Sequence, residues 1–178
     1  MDDPVDISRA LLIEGWMNEP DLHWLATEAQ KHDRIVEFGS YLGRSTRALC
    51  DNARGWVLAV DDWWGPRDVD VEHRSNLLER FKANLAGVPC KLRIAVSQHS
   101  NSKLLDLVAS LEPDMVFLDG DHQMEPVRQQ VSFFSRRLKS GSLLCGHDAS
   151  SPAVYAAIHG ERGTVTIAPG TDIWYERF

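Results

Sequence analysis

The sequence predicts an α/β domain: a doubly wound, mostly parallel sheet of seven strands that ends in an antiparallel hairpin. Short apolar runs of strand length alternate along the chain with segments whose apolar residues recur at helical spacing. Such alternation builds parallel strands joined by crossover helices that cover both faces. Near the end, two apolar runs flank Pro169-Gly170 with no helix between them, which predicts an antiparallel edge.

The elements follow in order. Residues Pro20 to His32 read as a helix, with Leu22, Leu25, Ala26 and Ala29 on one face; residues 1–32 form a helical lead-in to a single domain spanning 1–178. Arg34 to Phe38 is a buried strand ending at Gly39, and Arg44 to Asn52 a helix. Trp56 to Val60 is a second strand, ended by Asp61-Asp62. Trp63 to Val71, rich in Trp, Pro and Asp, reads as a surface loop. His73 to Ala86 is helical, Lys91 to Val96 a third strand, and Ser100 to Ser110 a fourth helix. Asp114 to Leu118 is a strand, Glu125 to Leu138 a helix with Pro126 in its first turn, and Leu143 to Cys145 a fifth strand. Ser151-Pro152 caps a short helix to Ile158, and Thr164 to Ala168 pairs with Asp172 to Arg177.

Composition narrows the function. The chain has 178 residues, 43% of them hydrophobic and 25% charged, which excludes a disordered chain. Its net charge of -7 lacks the broad positive field of nonspecific nucleic-acid binding. Cys50, Cys90 and Cys145 are far apart with no C-x-x-C pair, arguing against a disulfide framework or zinc knuckle. MDDPVDISRA has no apolar signal core, and no apolar run approaches the ~18 residues of a membrane span. A cytoplasmic protein without membrane contact is expected.

In such folds ligands bind beyond the carboxyl ends of the strands, where strand order reverses. Every predicted strand end here is polar: Glu37, Asp61, Ser97-Gln98, Asp119-Gly-Asp-His122 and Gly146-His147-Asp148. Carboxylates are costly to bury unpaired, so the set is hard to explain by stability alone, although any single one fits a strand meeting water. Gly39-Ser-Tyr-Leu-Gly43 allows tight turning and close backbone approach before the amides of Arg44, Ser45 and Thr46 open a helix. Neither the dinucleotide fingerprint nor a P-loop is present, because position 41 is Tyr and no G-K-[ST] follows. Asp61, ending the next strand, suits the two hydroxyls of a ribose, which suggests a nucleoside without a pyrophosphate.

The run Ile35 to Thr46 resembles motif I of class I S-adenosylmethionine-dependent methyltransferases, of the small bacterial O-methyltransferase type. Val60-Asp-Asp-Trp-Trp-Gly65, Phe117 to His122 and Leu144 to Asp148 are similar to the motifs after strands two, four and five of that family, and the order matches from about Gly15 to Trp174. The resemblance implies a Rossmann-like fold and S-adenosylmethionine as cofactor. It implies that Glu37, Gly39, Ser40, Tyr41 and Gly43 wrap the methionine part, with Ser45 or Thr46 at its carboxylate. It also implies Asp61, with Asp62 beside it, at the ribose, and Trp63, Ser97 and Gln98 near the adenine.

Catechol-type members hold magnesium at positions matching Asp119, His147 and Asp148, where this chain has His-Asp in place of Asp-Asn. The implied ion is Mg²⁺ or Mn²⁺. Asp119, His122 and His147 are the candidate catalytic groups, His122 being the side chain best suited to a general base near neutral pH. Each has a bland alternative: a rim carboxylate, a loop cap or a structural loop histidine. The acceptor is a hydroxylated small molecule. Leu11-Leu12-Ile13, Trp16 and Trp63-Trp64 offer apolar surface for a homodimer. Two other readings stand beside this one: a cofactor-binding regulatory protein without turnover, and an NAD(P)-dependent oxidoreductase on a related sheet.

Overall fold

The computed structural model describes residues 4–65 and 76–178. Its strands are β1 (Arg34–Phe38), β2 (Trp56–Asp61), β3 (Lys91–Val96), β4 (Met115–Leu118), β5 (Leu143–Gly146), β6 (Thr166–Ile167) and β7 (Trp174–Arg177). They form one sheet in the order β3-β2-β1-β4-β5-β7-β6. Pairing from β3 through β5 is parallel, whereas β7 runs antiparallel to both β5 and β6. The order reverses between β1 and β4, so the crevice beyond Phe38 and Leu118 is the expected ligand position.

Alternation along each strand divides the core into two layers. On one face Ile35, Val57, Ala59, Met115, Phe117 and Cys145 pack beneath α1 (Glu19–Ala29), α2 (Arg44–Asn52) and α3 (Leu77–Asn84). On the other, Val36, Phe38, Leu58, Val60, Val116 and Leu144 meet α4 (Ser102–Ser110), α5 (Met124–Ser135) and α6 (Pro152–Arg162). Each large side chain buried here, such as Phe81 or Phe134, contributes roughly 1.5–3 kcal/mol.

The predicted architecture is present, with local differences. The third helix occupies Leu77–Asn84, and the expected start at His73 lies outside the described residues. Helix α4 begins at Ser102 because the Asn101 side chain accepts from the amides of Lys103 and Leu104 and caps it. Helix α6 runs to Arg162, beyond Ile158. Strand β6 is only two residues long. The loop after β2 is not wholly on the surface. Trp63 is 8% exposed and packs on Phe81 with ring centroids 5.0 Å apart, while Trp64 is 80% exposed. Trp63 takes a left-handed backbone (φ 51), which turns adjacent indoles to opposite sides; residues 66–71 of that loop lie outside the described residues. Ile13 is buried as well, so the exposed apolar side chains of these segments are Leu11, Leu12, Trp16 and Trp64.

The N-terminal segment is fastened to the start of α2. The Arg44 guanidinium donates to the carbonyls of Leu11, Ile13 and Met17, and the Trp16 ring lies against Tyr41 at 4.9 Å. Among the described residues no helix is long and apolar enough to cross a membrane.

Candidate active site

Two groups of polar side chains lie along the carboxyl ends of the strands. The first is a cradle after β1 and β2. Gly39 has φ +91, and a Cβ there would stand 2.3 Å from the Asp119 carbonyl oxygen, so only glycine lets β1 and β4 approach this closely. Asp61 pins the loop: its Oδ2 accepts from the amides of Ser40 and Tyr41, each at 2.9 Å, and its Oδ1 from the amide of Trp63 at 2.7 Å. The Trp63 indole in turn donates to the Tyr41 carbonyl at 2.9 Å. Tyr41 is thereby held at φ 44, a left-handed conformation that non-glycine residues keep only when their surroundings over-determine it.

Glu37 is fully buried at the end of β1. Its Oε2 accepts from the hydroxyls of Ser40, at 2.8 Å, and Thr46, and Ser45 also hydrogen-bonds to the carboxyl group. Burial pushes its pKa up to about 7 against the pull of these three hydroxyls. Its Oε1 is buried with no hydrogen-bond partner. Ser45 and Thr46, expected at the cofactor carboxylate, are thus turned onto Glu37. Asp62 accepts from the Trp64 amide at 3.0 Å, and the Ser97 amide donates to the Asp61 carbonyl at 2.9 Å, which places Ser97-Gln98 on the same rim. Gly43 caps α2 at φ +91.

The second group lies beyond β4 and β5. His122 Nε2 is 2.8 Å from Asp148 Oδ2. His147 Nδ1 is 3.3 Å from Asp148 Oδ1 and 3.7 Å from Asp119 Oδ1. The other ring nitrogen of His147, Nε2, faces Asp21 Oδ2 at 3.2 Å. Burial raises the pKa of Asp119 to about 7, with His147 opposing the shift. For His147 burial works against the charge, but the hydrogen bond to Asp148, the charges of Asp119 and Asp148 and the bond to Asp21 prevail and raise it to about 9. His122 is raised chiefly by its bond to Asp148, whose own pKa is held well below the carboxylate range by His122 and His147.

One oxygen or nitrogen each from Asp119, His122 and Asp148 lie within 4.8 Å of one another, as do atoms of His147, Asp148 and Asp172. Two carboxylates with one imidazole suit a borderline divalent ion such as Mn²⁺ better than Mg²⁺. The structure brings Asp119 and Asp148 together with His122, and separately brings His147 together with Asp148 and Asp172; the His147 nitrogen on the Asp119 and Asp148 side is Nδ1, while Nε2 faces Asp21.

Asp21 and Asp172 were not singled out from the sequence. Asn18-x-x-Asp21 is legible as a helix cap, and the capping box is present, but a cap does not announce a partner on β5's loop.

A mostly parallel sheet with a glycine loop and an acid at its carboxyl edge is a Rossmann-like arrangement. A methyltransferase domain family matches residues 36–149, more than half of the chain, and the chain belongs to that family. No curated protein matches it. Among solved structures it is similar to CalS11, a TDP-rhamnose 3'-O-methyltransferase of calicheamicin biosynthesis (14% identity, 89% of this chain and 78% of that one, TM-score 0.62). It is also similar to TomG of Streptomyces achromogenes, an O-methyltransferase solved with SAM (15%, 90% and 79%, TM-score 0.59). An O-methyltransferase from Bacillus cereus solved with SAH is a third (15%, 97% and 87%, TM-score 0.58). Family membership sets aside the oxidoreductase reading.

Proposed function

We propose that this methyltransferase transfers the methyl group of S-adenosylmethionine to a hydroxyl oxygen of a small-molecule acceptor, with His122 taking the hydroxyl proton. The sulfonium supplies an already activated methyl group, so the protein's tasks are alignment and proton removal. The cradle supports the cofactor half: Gly39 admits close backbone approach, Asp61 fixes the loop, and the unpartnered Oε1 of Glu37 is an acceptor fit for an ammonium. The presence of SAM in TomG and SAH in the Bacillus cereus enzyme supports the same choice of cofactor.

The observation that carries the acceptor half is the 2.8 Å contact between His122 Nε2 and Asp148 Oδ2. Asp148 strengthens His122 as a base and stabilises the imidazolium formed when it takes the proton. His122 is 63% exposed on its side chain, within reach of a bound acceptor. A second reading rests on the convergence of Asp119, His122 and Asp148: these would hold a divalent ion, which would lower the pKa of the acceptor hydroxyl.

Turnover of S-adenosylmethionine with a panel of phenols, sugars and other hydroxylated acceptors tests both. Activity that survives EDTA and disappears in His122→Ala supports the base; activity lost in EDTA and restored by Mn²⁺ or Mg²⁺ replaces it with the metal reading. The net charge of -7 argues against nucleic acid as acceptor, and a cytoplasmic location fits the three unpaired cysteines. A homodimer rests on exposed Leu12, Trp16 and Trp64; light scattering that finds only the 20.1 kDa monomer at high concentration removes it.

A further inference from the structure

Four side chains form an alternating carboxylate–imidazole chain across the rim. Asp21 Oδ2 meets His147 Nε2 at 3.2 Å, His147 Nδ1 meets Asp148 Oδ1 at 3.3 Å, and Asp148 Oδ2 meets His122 Nε2 at 2.8 Å. One end, Asp21, is only 1% exposed and sits in the first turn of α1; the other, His122, is open to solvent.

Capping alone does not explain Asp21. As the acid of the capping box it needs only the Asn18 amide, 3.2 Å away, and an exposed carboxylate serves that purpose. Instead it is buried, accepts from the Asp172 amide at 3.0 Å, and faces His147. Burying a carboxylate is costly unless every lone pair is well used. Asp148 gives the second observation. It has φ 58, an unfavourable backbone for a residue with a side chain, and each of its oxygens is held by a different imidazole. A carboxylate on a strained residue keeps its direction only if something rigid fixes it. His147 is rigid because Asp21 holds its far nitrogen.

We propose that Asp21 is a positioning residue for methyl transfer: it fixes the His147 ring, His147 fixes Asp148, and Asp148 aims His122. The inference deepens the base reading above and rests on it for its effect on turnover, but its structural half stands alone. Asp21 touches neither substrate nor cofactor and acts only through His147.

The test has two arms. In ¹⁵N–¹H spectra of the cofactor-free wild type, His147 should show a proton on Nε2 that exchanges slowly with water, and Asp21→Asn should shift that signal. A rapidly exchanging Nε2 proton in wild type, or an unchanged one in Asp21→Asn, overturns the proposal even if the variant's activity cannot be measured. In kinetics, Asp21→Asn should lower kcat about 10–100-fold while S-adenosylhomocysteine affinity stays within about twofold. Asn18→Ala, which breaks the same helix cap without touching His147, should keep kcat within about twofold. In a His147→Ala background Asp21→Asn should cost almost nothing further. Equal losses from Asn18→Ala and Asp21→Asn, or additive losses with His147→Ala, reduce Asp21 to a cap. A wild type inert toward every acceptor breaks the function reading while leaving the spectral arm to judge the positioning claim.

Discussion

The cradle after β1 and β2 and the rim after β4 and β5 use the same materials, carboxylates at strand ends, but are assembled differently. In the cradle Asp61 meets backbone amides 20 and 21 positions earlier, and Glu37 meets hydroxyls 3 and 9 positions later. In the rim the Asp21–His147 contact spans 126 positions and the Asp172–Asp21 contact 151. The cradle's acids are buried, Asp61 on backbone amides and Glu37 on hydroxyls, which fixes the shape of the loop. The rim's acids, from buried Asp21 to half-buried Asp148, hold imidazoles, which sets charge and direction among side chains. Binding and chemistry should therefore separate under mutation.

Gly39→Val should have the largest effect. It asks a branched residue to hold φ +91 with its Cβ 2.3 Å from a carbonyl oxygen, so binding of S-adenosylhomocysteine by calorimetry should be lost altogether. Wild-type affinity in this variant would remove the cradle from the account.

The next test compares one acid from each region. Asp61→Ala releases three backbone amides and should weaken S-adenosylhomocysteine binding by about 1–3 kcal/mol. Asp148→Asn should leave that affinity within about 0.5 kcal/mol while turnover falls at least about tenfold. If Asp148→Asn costs as much affinity as Asp61→Ala, the two regions are one site and the division fails.

These regions also differ in how far the sequence disclosed them. Gly39, Gly43 and Asp61 stood out because a glycine loop is followed, at the end of the next strand, by an acid, although a structural turn accounts for the glycines equally well. The five parallel strands were legible from apolar runs bounded by polar residues. Ser45 and Thr46 have a use the sequence did not show, since hydroxyls at the start of α2 also reach the buried Glu37 at the end of β1. Trp63 and Trp64 looked alike because one backbone dihedral, invisible in composition, sends one into the core and leaves the other outside. Asp21 went unread because nothing in its own segment points to a partner 126 positions away. Asp119, His122, His147 and Asp148 stood out in the motifs after their strands, but that Asp21 joins them depends on which helix ends up beside β5, and that is fixed by packing of the whole sheet rather than by any short motif.

The last test concerns pH and stability rather than binding or turnover. Glu37 has an ordinary carboxyl value of 4.5 and is raised by burial to about 7. The folded state therefore holds a proton that the unfolded chain has released, and the stability this brings is full below about 4.5 and lost as pH rises through about 7. Glu37→Gln keeps the neutral form throughout. Relative to wild type it should gain up to about 3 kcal/mol between pH 5 and pH 8 in denaturant titrations of the cofactor-free protein. A difference that stays flat with pH would mean that Glu37 is ionised in the folded state and paired with something other than its three hydroxyls.

The place of β7 between β5 and β6 has a consequence for how the molecule comes into being. Residues leave the ribosome in order, so β1, β2 and α2 can pair while later segments are still being made. Strand β5, however, keeps an open edge until residues 174–177 arrive to run back alongside it. An open strand edge is a template for wrong partners. The edge beside His147 and Asp148 is thus late to close and, for a time, a part of the newborn chain open to misassembly.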